Sequence, residues 1–114
     1  VDPLNEWFGL KVGVTRTNAP DAGPHYAGRL GEDPGLSRES AVRAITANSS
    51  YALHGDAEIG SLEVGKLADL IVLDRDLFAI PAEEIADIRV LLTVVGGREV
   101  YRSAEFHSPG EASR

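Results

Sequence analysis

The run Leu70-Ile71-Val72-Leu73 sets four apolar residues side by side, without alternation, and ends on Asp74. Such a run reads as a strand buried on both faces, or nearly so, which requires other layers to cover it. It closes the stretch Ile59 to Asp74, in which Gly60 and Gly65 bracket a short segment and a polar turn at Lys66 leads into the strand. Glycines in these places mark points where the backbone turns tightly or packs closely. A second β-prone run, residues 89–95, is separated by Gly96-Gly97 from residues 98–102. A two-residue loop needs positive φ, which glycine adopts cheaply, so these residues predict a hairpin.

The first half of the chain is helical by the same kind of reading. Trp7, Leu10 and Val14 share one helical face, although Leu10, Val12 and Val14 also alternate as in a strand. Pro3 with Asn5-Glu6 suits a helix start, so a helix is expected over residues 4–17. Residues 18–35 contain Pro20, Pro24 and Pro34 together with Gly23, Gly28, Gly31 and Gly35, and neither period survives. A loop that long is functional or disordered, or has lost a surface it covered. Residues 37–53 predict the most secure helix. Ser37 is its N-cap, Glu39 sits in the first turn, and Ala41, Val42, Ile45 and Ala52 form the apolar stripe. Asn48-Ser49-Ser50 offer a break or kink, and Gly55 a stop.

Pro81 at a first helical position, followed by Glu83-Glu84, suits a single turn. Residues 103–114 read as a loose tail. The order is helix and loop over 1–36, helix over 37–53, then a β-rich part over 58–102 with a small antiparallel sheet or hairpin. That is an α+β pattern.

Lysine and arginine number 11 against 18 aspartates and glutamates, a net charge of -7. Nucleic acid and anionic membranes repel such a chain, so neither is expected as a partner. No apolar run approaches the roughly 20 residues that span a bilayer. Without cysteine there is no disulfide frame and no thiolate zinc site, which fits a cytoplasmic protein. The sequence contains no methionine and begins Val1-Asp2-Pro3. It is therefore expected to be a piece of a longer protein.

The chemistry-bearing residues do not assemble into a site. His25, His54 and His107 form no His-x-His or His-x-x-x-His pair, so local spacing supplies no metal ligands. His54 reads as a structural or solvated residue near a helix C-terminus. His25, beside Tyr26 and Arg29 in the long loop, is the one candidate for a substrate contact. Asp74 and Asp76 flank a strand end, where turn chemistry explains them. Ser61 lacks the Gly-x-Ser-x-Gly setting of a nucleophile, and Gly65-Lys66 is followed by Leu67 rather than a hydroxyl. The lone Trp7 reads as a core anchor. No catalytic or metal-binding residue is assigned, and the substrate-binding residues are unknown.

Several of these segments, in this order, resemble one family. The segment Ile59 to Asp74 is similar to the C-terminal signature of the amidohydrolase superfamily. Leu36-Ser37-Arg38-Glu39 with Ala41, Ala44, Thr46 and Asn48 resembles the helix before that signature. Residues 88–98 with Val100-Tyr101 resemble the terminal hairpin. Val1-Asp2-Pro3-Leu4 through Thr15-Arg16 looks like the segment after the last barrel strand in the branch called amidohydrolase family 3. The likeness covers roughly residues 1–102.

It implies a hydrolase acting on carbon–nitrogen bonds such as amides, with zinc or another divalent metal held by a TIM barrel and a composite β-sandwich beside it. Metal-bound water would be the nucleophile and an aspartate the general base. Asp2 does not stand at that aspartate's position and takes no such role. By the resemblance, this chain would be the end of the barrel plus part of the sandwich, inactive alone, with the rest of the parent chain as its partner. Left by itself it is expected to self-associate as a homodimer. The competing reading is a stand-alone structural or protein-interaction module.

Overall fold

A computed structural model describes residues 5–107. The chain divides into two units, one formed by residues 1–45 and 76–88, the other by 46–75 and 89–114. The described architecture is α+β.

The first unit is helical. Helix α1 runs Glu6–Thr15. Its N-cap is Asn5, whose side-chain oxygen accepts from the Trp7 N–H at 2.9 Å and satisfies an otherwise orphan donor. Pro3 lies outside the described residues. Helix α2 spans Arg38–Ile45, and the Ser37 hydroxyl accepts from the Ser40 N–H at 3.1 Å, the cap expected of that residue. A 3-10 helix covers Ala82–Asp87. It is longer than the single turn expected there, and Pro81 stands just before it with extended backbone rather than at its first position. This 3-10 helix packs against α1, and the Asn5 amide reaches its Ala86 carbonyl at 3.3 Å. Between them lies the core: Trp7, Leu10, Ala41, Leu77, Ile80, Ile85 and Ile88, with Ile85 wholly enclosed.

The helix expected over 37–53 is two helices. Thr46 leaves the helical region (φ -120°, ψ -91°), and α3 begins after it as Ala47–Ala52. A β-branched residue is a weak helix former, and the interruption falls there rather than at Asn48-Ser49-Ser50. It also falls at the boundary between the units.

The second unit carries α3 and a three-stranded antiparallel sheet in the order β1 (Leu70–Leu73), β2 (Val90–Val95), β3 (Arg98–Arg102). Gly96 and Gly97 form the expected two-residue hairpin, both at positive φ. Asp69 fastens it, its carboxylate accepting from the Gly96 N–H at 2.7 Å, while the Ala68 carbonyl accepts from Gly97 at 3.0 Å. The other end of β1 is closed by Asp74, which accepts from the Arg89 N–H at 2.9 Å. The register slips between Val72 and Leu73, where β2 holds the extra residue, and between Thr93 and Val94, where β3 does.

Strand β1 is not buried on both faces. Ile71 is 46% exposed, as are Val95 at 52% and Val100 at 60%. A four-residue apolar run implies two covering layers, but among the described residues of its unit this sheet is a single layer. Among the described residues, every fully buried apolar side chain belongs to the helical unit. The segment expected to be a loose tail begins as a turn tied to the sheet. Ser103 donates to Leu91 at 2.8 Å, and the Arg102 guanidinium lies 5.2 Å from the Phe106 ring. Residues 108–114, the rest of that tail, lie outside the described residues.

Candidate functional site

At the end of α1, Arg16 takes up left-handed backbone (φ 57°, ψ 33°), and its N–H returns to the Val12 carbonyl at 2.7 Å. The chain then leaves on the long loop and comes back to the same place. Leu30 donates to the Arg16 carbonyl at 2.7 Å, and Thr17 forms an isolated antiparallel bridge with Arg29. Residues 18–28 are therefore a closed excursion rather than an open linker. Between α1 and this returning chain lies an open cavity of about 430 Å³, lined by Phe8, Val12, Tyr26 and Leu30 among others. That is within the size range of small-molecule sites.

Lys11 holds the loop's root. It is buried, 2% exposed, and its ammonium donates to the carbonyls of Asn18 at 2.8 Å and Thr17 at 3.3 Å. Glu83 Oε2 lies 3.5 Å away, and the Phe8 ring centre 5.7 Å. A buried ammonium is costly unless its hydrogens are all received, so these partners explain how a lysine occupies a core position. The Thr17 hydroxyl adds a 2.7 Å bond to Thr15.

Two of the cavity's charges, like Arg38 on the Leu77 carbonyl at 2.9 Å, are held by backbone oxygen, whereas several elsewhere are paired with acids. Arg43, Lys66, Arg89 and Arg102 each lie against a carboxylate, at 3.5, 3.2, 3.6 and 2.7 Å from Glu39, Glu63, Asp74 and Glu99. Arg16 and Arg29, which both line the cavity, donate instead to the backbone carbonyls of Leu30 and Glu32, each at 2.8 Å. A carbonyl orients a guanidinium without neutralising it.

Of the candidates read from the sequence, His25 is brought to this cavity, its ring 5.0 Å from that of Tyr26 in an edge-on arrangement. His54 and His107 are exposed and outside it; His54 sits at φ 60° in the turn after α3. Glu83 faces Lys11 and Thr17, and Asp76 closes a turn by accepting from Phe78 at 2.9 Å. Ser61 is a turn residue, donating to Glu63 and accepting from Lys66 at 2.9 Å. The Ser61 hydroxyl, then the Lys66 ammonium, hold the Glu63 carboxyl below its ordinary range. Trp7 is in the core, as expected of an anchor. Asp2 lies outside the described residues. Among the described residues, no three histidines, aspartates or glutamates converge in a way that could hold a metal ion.

Sequence reasoning passed over Lys11 and Arg16. Lys11 stands four residues from Trp7 and three from Val14, on the face taken for core, and that position was a usable signal. Nothing local marks Arg16, because its place beside the cavity comes from the loop that returns to it.

Residues 1–101 match the family described as the amidohydrolase family. The chain is 38% identical over 68 residues to an N-substituted formamide deformylase of Arthrobacter pascens, covering 60% of this chain and 12% of that protein. It is 37% identical over 89 residues to a 5-methylthioadenosine/S-adenosylhomocysteine deaminase of Symbiobacterium thermophilum, covering 69% of this chain and 20% of that one. A solved amidohydrolase from Thermotoga maritima MSB8 superposes with a TM-score of 0.51 at 30% identity, over 60% of this chain and 16% of its own. The chain thus spans only a small part of the length of these proteins.

Proposed function

This chain belongs to the amidohydrolase family, and from that membership we propose that it is the C-terminal structural segment of a metal-dependent hydrolase acting on carbon–nitrogen bonds other than peptide bonds, such as amides. The observation that carries the reading is the family match over residues 1–101 in a chain that covers only 12–20% of the two relatives' lengths. The described residues do not fit a resident metal. Its ligands, zinc or another divalent ion being the expected occupant, would then belong to the remainder of the protein. The part supplied here is scaffold: the helical unit as the end of a TIM barrel, the sheet as part of a β-sandwich. A rigid frame of this kind is what holds residues at a barrel mouth in place.

The exposed sheet supports this reading. A sheet with apolar side chains needs a second layer, and Ile71, Val95, Val100 and the half-exposed Tyr101 have none within their unit. The partner is the rest of the parent chain, in the cytoplasm. The purified 114-residue chain is expected to hydrolyse no amide and to bind no zinc stoichiometrically in calorimetric titration. A tight one-to-one zinc site would overturn the reading. The alternative, a stand-alone interaction module, would be ruled out by a reading frame that continues upstream of Val1 into barrel-type histidine motifs.

The same surface should make the isolated chain associate with itself. Sedimentation velocity across a concentration series should show a dimer or larger species at high concentration. A monomer throughout would count against an uncovered sheet.

A further inference from the structure

We propose that the cavity between α1 and the 18–28 loop is a binding site for a small organic carboxylate with an apolar, ring-sized body. Arg16 and Arg29 both line it, and among the described residues each guanidinium is aimed by a carbonyl rather than neutralised by a carboxylate. Arg38 is held the same way on the Leu77 carbonyl, but in a chain of net charge -7, where Arg43, Lys66, Arg89 and Arg102 lie against acids, two such groups share this one cavity. A guanidinium is a planar fork that matches a carboxylate's two oxygens. Arg16 uses Nε on the Leu30 carbonyl, which fixes the plane of the group and leaves both terminal nitrogens outside that bond.

The backbone points the same way. Left-handed geometry after a helix is easiest for glycine or asparagine, yet an arginine occupies it at φ 57°. Gly31, at φ 71°, brings the returning loop beside the Arg16 fork, where even a Cβ would stand only in ordinary contact, 3.5 Å from a terminal nitrogen. Phe8, Val12, Tyr26 and Leu30 line the same cavity with apolar surface, so a ligand with an apolar body would leave water where its acid meets the arginines. An inorganic anion would use only half of this surface. The inference does not rest on the hydrolase reading, because the cavity lies wholly within the helical unit.

The test is a titration of the ¹⁵N-labelled chain with phenylacetate, followed by amide shifts, with phenylacetamide and inorganic phosphate in parallel. Saturable shifts are expected at Val12, Arg16, Leu30 and Gly31. Phenylacetamide, which lacks the charge, and phosphate, which lacks the apolar body, should each bind about tenfold more weakly or worse. Arg29→Gln changes an exposed side chain and should weaken phenylacetate about tenfold while the Trp7 indole resonance stays in place. Arg16→Gln should do the same; should it fail to fold, Arg29→Gln decides alone. Shifts that do not saturate, shifts centred elsewhere, equal binding of phenylacetamide or phosphate, or unchanged binding by Arg29→Gln would each overturn the proposal.

Discussion

Replacing Ile85 with alanine is expected to destabilise the helical unit by about 2–5 kcal/mol, the range for truncating a buried isoleucine to alanine. Among the described residues Ile85 is the one apolar core side chain with no exposed surface, and it sits in the 3-10 helix that packs on α1. Removing its outer carbons forfeits transfer free energy and leaves a cavity that the surrounding core cannot fully close. Ile85→Val should lose only about 0.5–1.5 kcal/mol, because one methylene departs. The measurement is built into the chain. Trp7 is the only tryptophan and is buried in the same core, so its fluorescence reports this unit through a urea titration. The midpoint should fall with the slope unchanged. A loss below about 1 kcal/mol in Ile85→Ala would show that this core is looser than its burial implies.

Gly60→Ala is expected to destabilise the second unit by about 2–4 kcal/mol, from two separable causes. The residue holds φ at 99°, a conformation an L side chain resists. A Cβ there would also stand 2.1 Å from the Ser50 hydroxyl oxygen and 2.7 Å from the Ser50 Cβ. Ser50 cannot simply yield, because it is 4% exposed and its hydroxyl donates to the Ala47 carbonyl at 2.8 Å. The close approach of Gly60 to α3 is what this glycine permits. Amide exchange in β2, and in Gly97 bonded to Ala68, reads the loss. Adding Ser50→Gly should recover the steric part, about 1–3 kcal/mol, less the roughly 1 kcal/mol that glycine costs within a helix. No recovery would mean that the backbone conformation accounts for the whole effect. A full recovery would mean that it accounts for none.

These two changes separate what could be read from the chain and what could not. Gly60 was legible as a place of close packing, but its contact, Ser50, was not, because the two are ten residues apart and meet through a turn. Ile85 was read as part of a single turn, and its central position in the core follows from α1 packing on it. Ser37, the strand 70–73 and the Gly96-Gly97 hairpin were legible because a cap, a β-prone run and a two-residue turn are each written in a short window, whereas the bonds that Asp69 and Asp74 make to Gly96 and Arg89 were not. The helix break at Thr46 was placed slightly late, since the polar Asn48-Ser49-Ser50 gave a stronger local signal than one β-branched residue.

In the candidate site only His25, Tyr26 and Arg29 were visible beforehand, as neighbours in a loop. Their meeting with Arg16, Phe8 and Val12 depends on the bonds from Leu30 to Arg16 and from Lys11 to Thr17 and Asn18. The buried lysine was hidden by its own chemistry. A charge on an apolar helix face looks solvated until a loop brings carbonyls to it.

By itself the sequence determined the α+β order, the hairpin, the helix start at Ser37 and the family likeness, all of which are written in short windows where backbone preference and spacing suffice. Only the tertiary structure decided which unit owns the core, that β1 leaves Ile71 half in water, and that two arginines share one cavity. The reason is physical: burial and convergence depend on what covers a face, and the covering segments lie far apart in the chain.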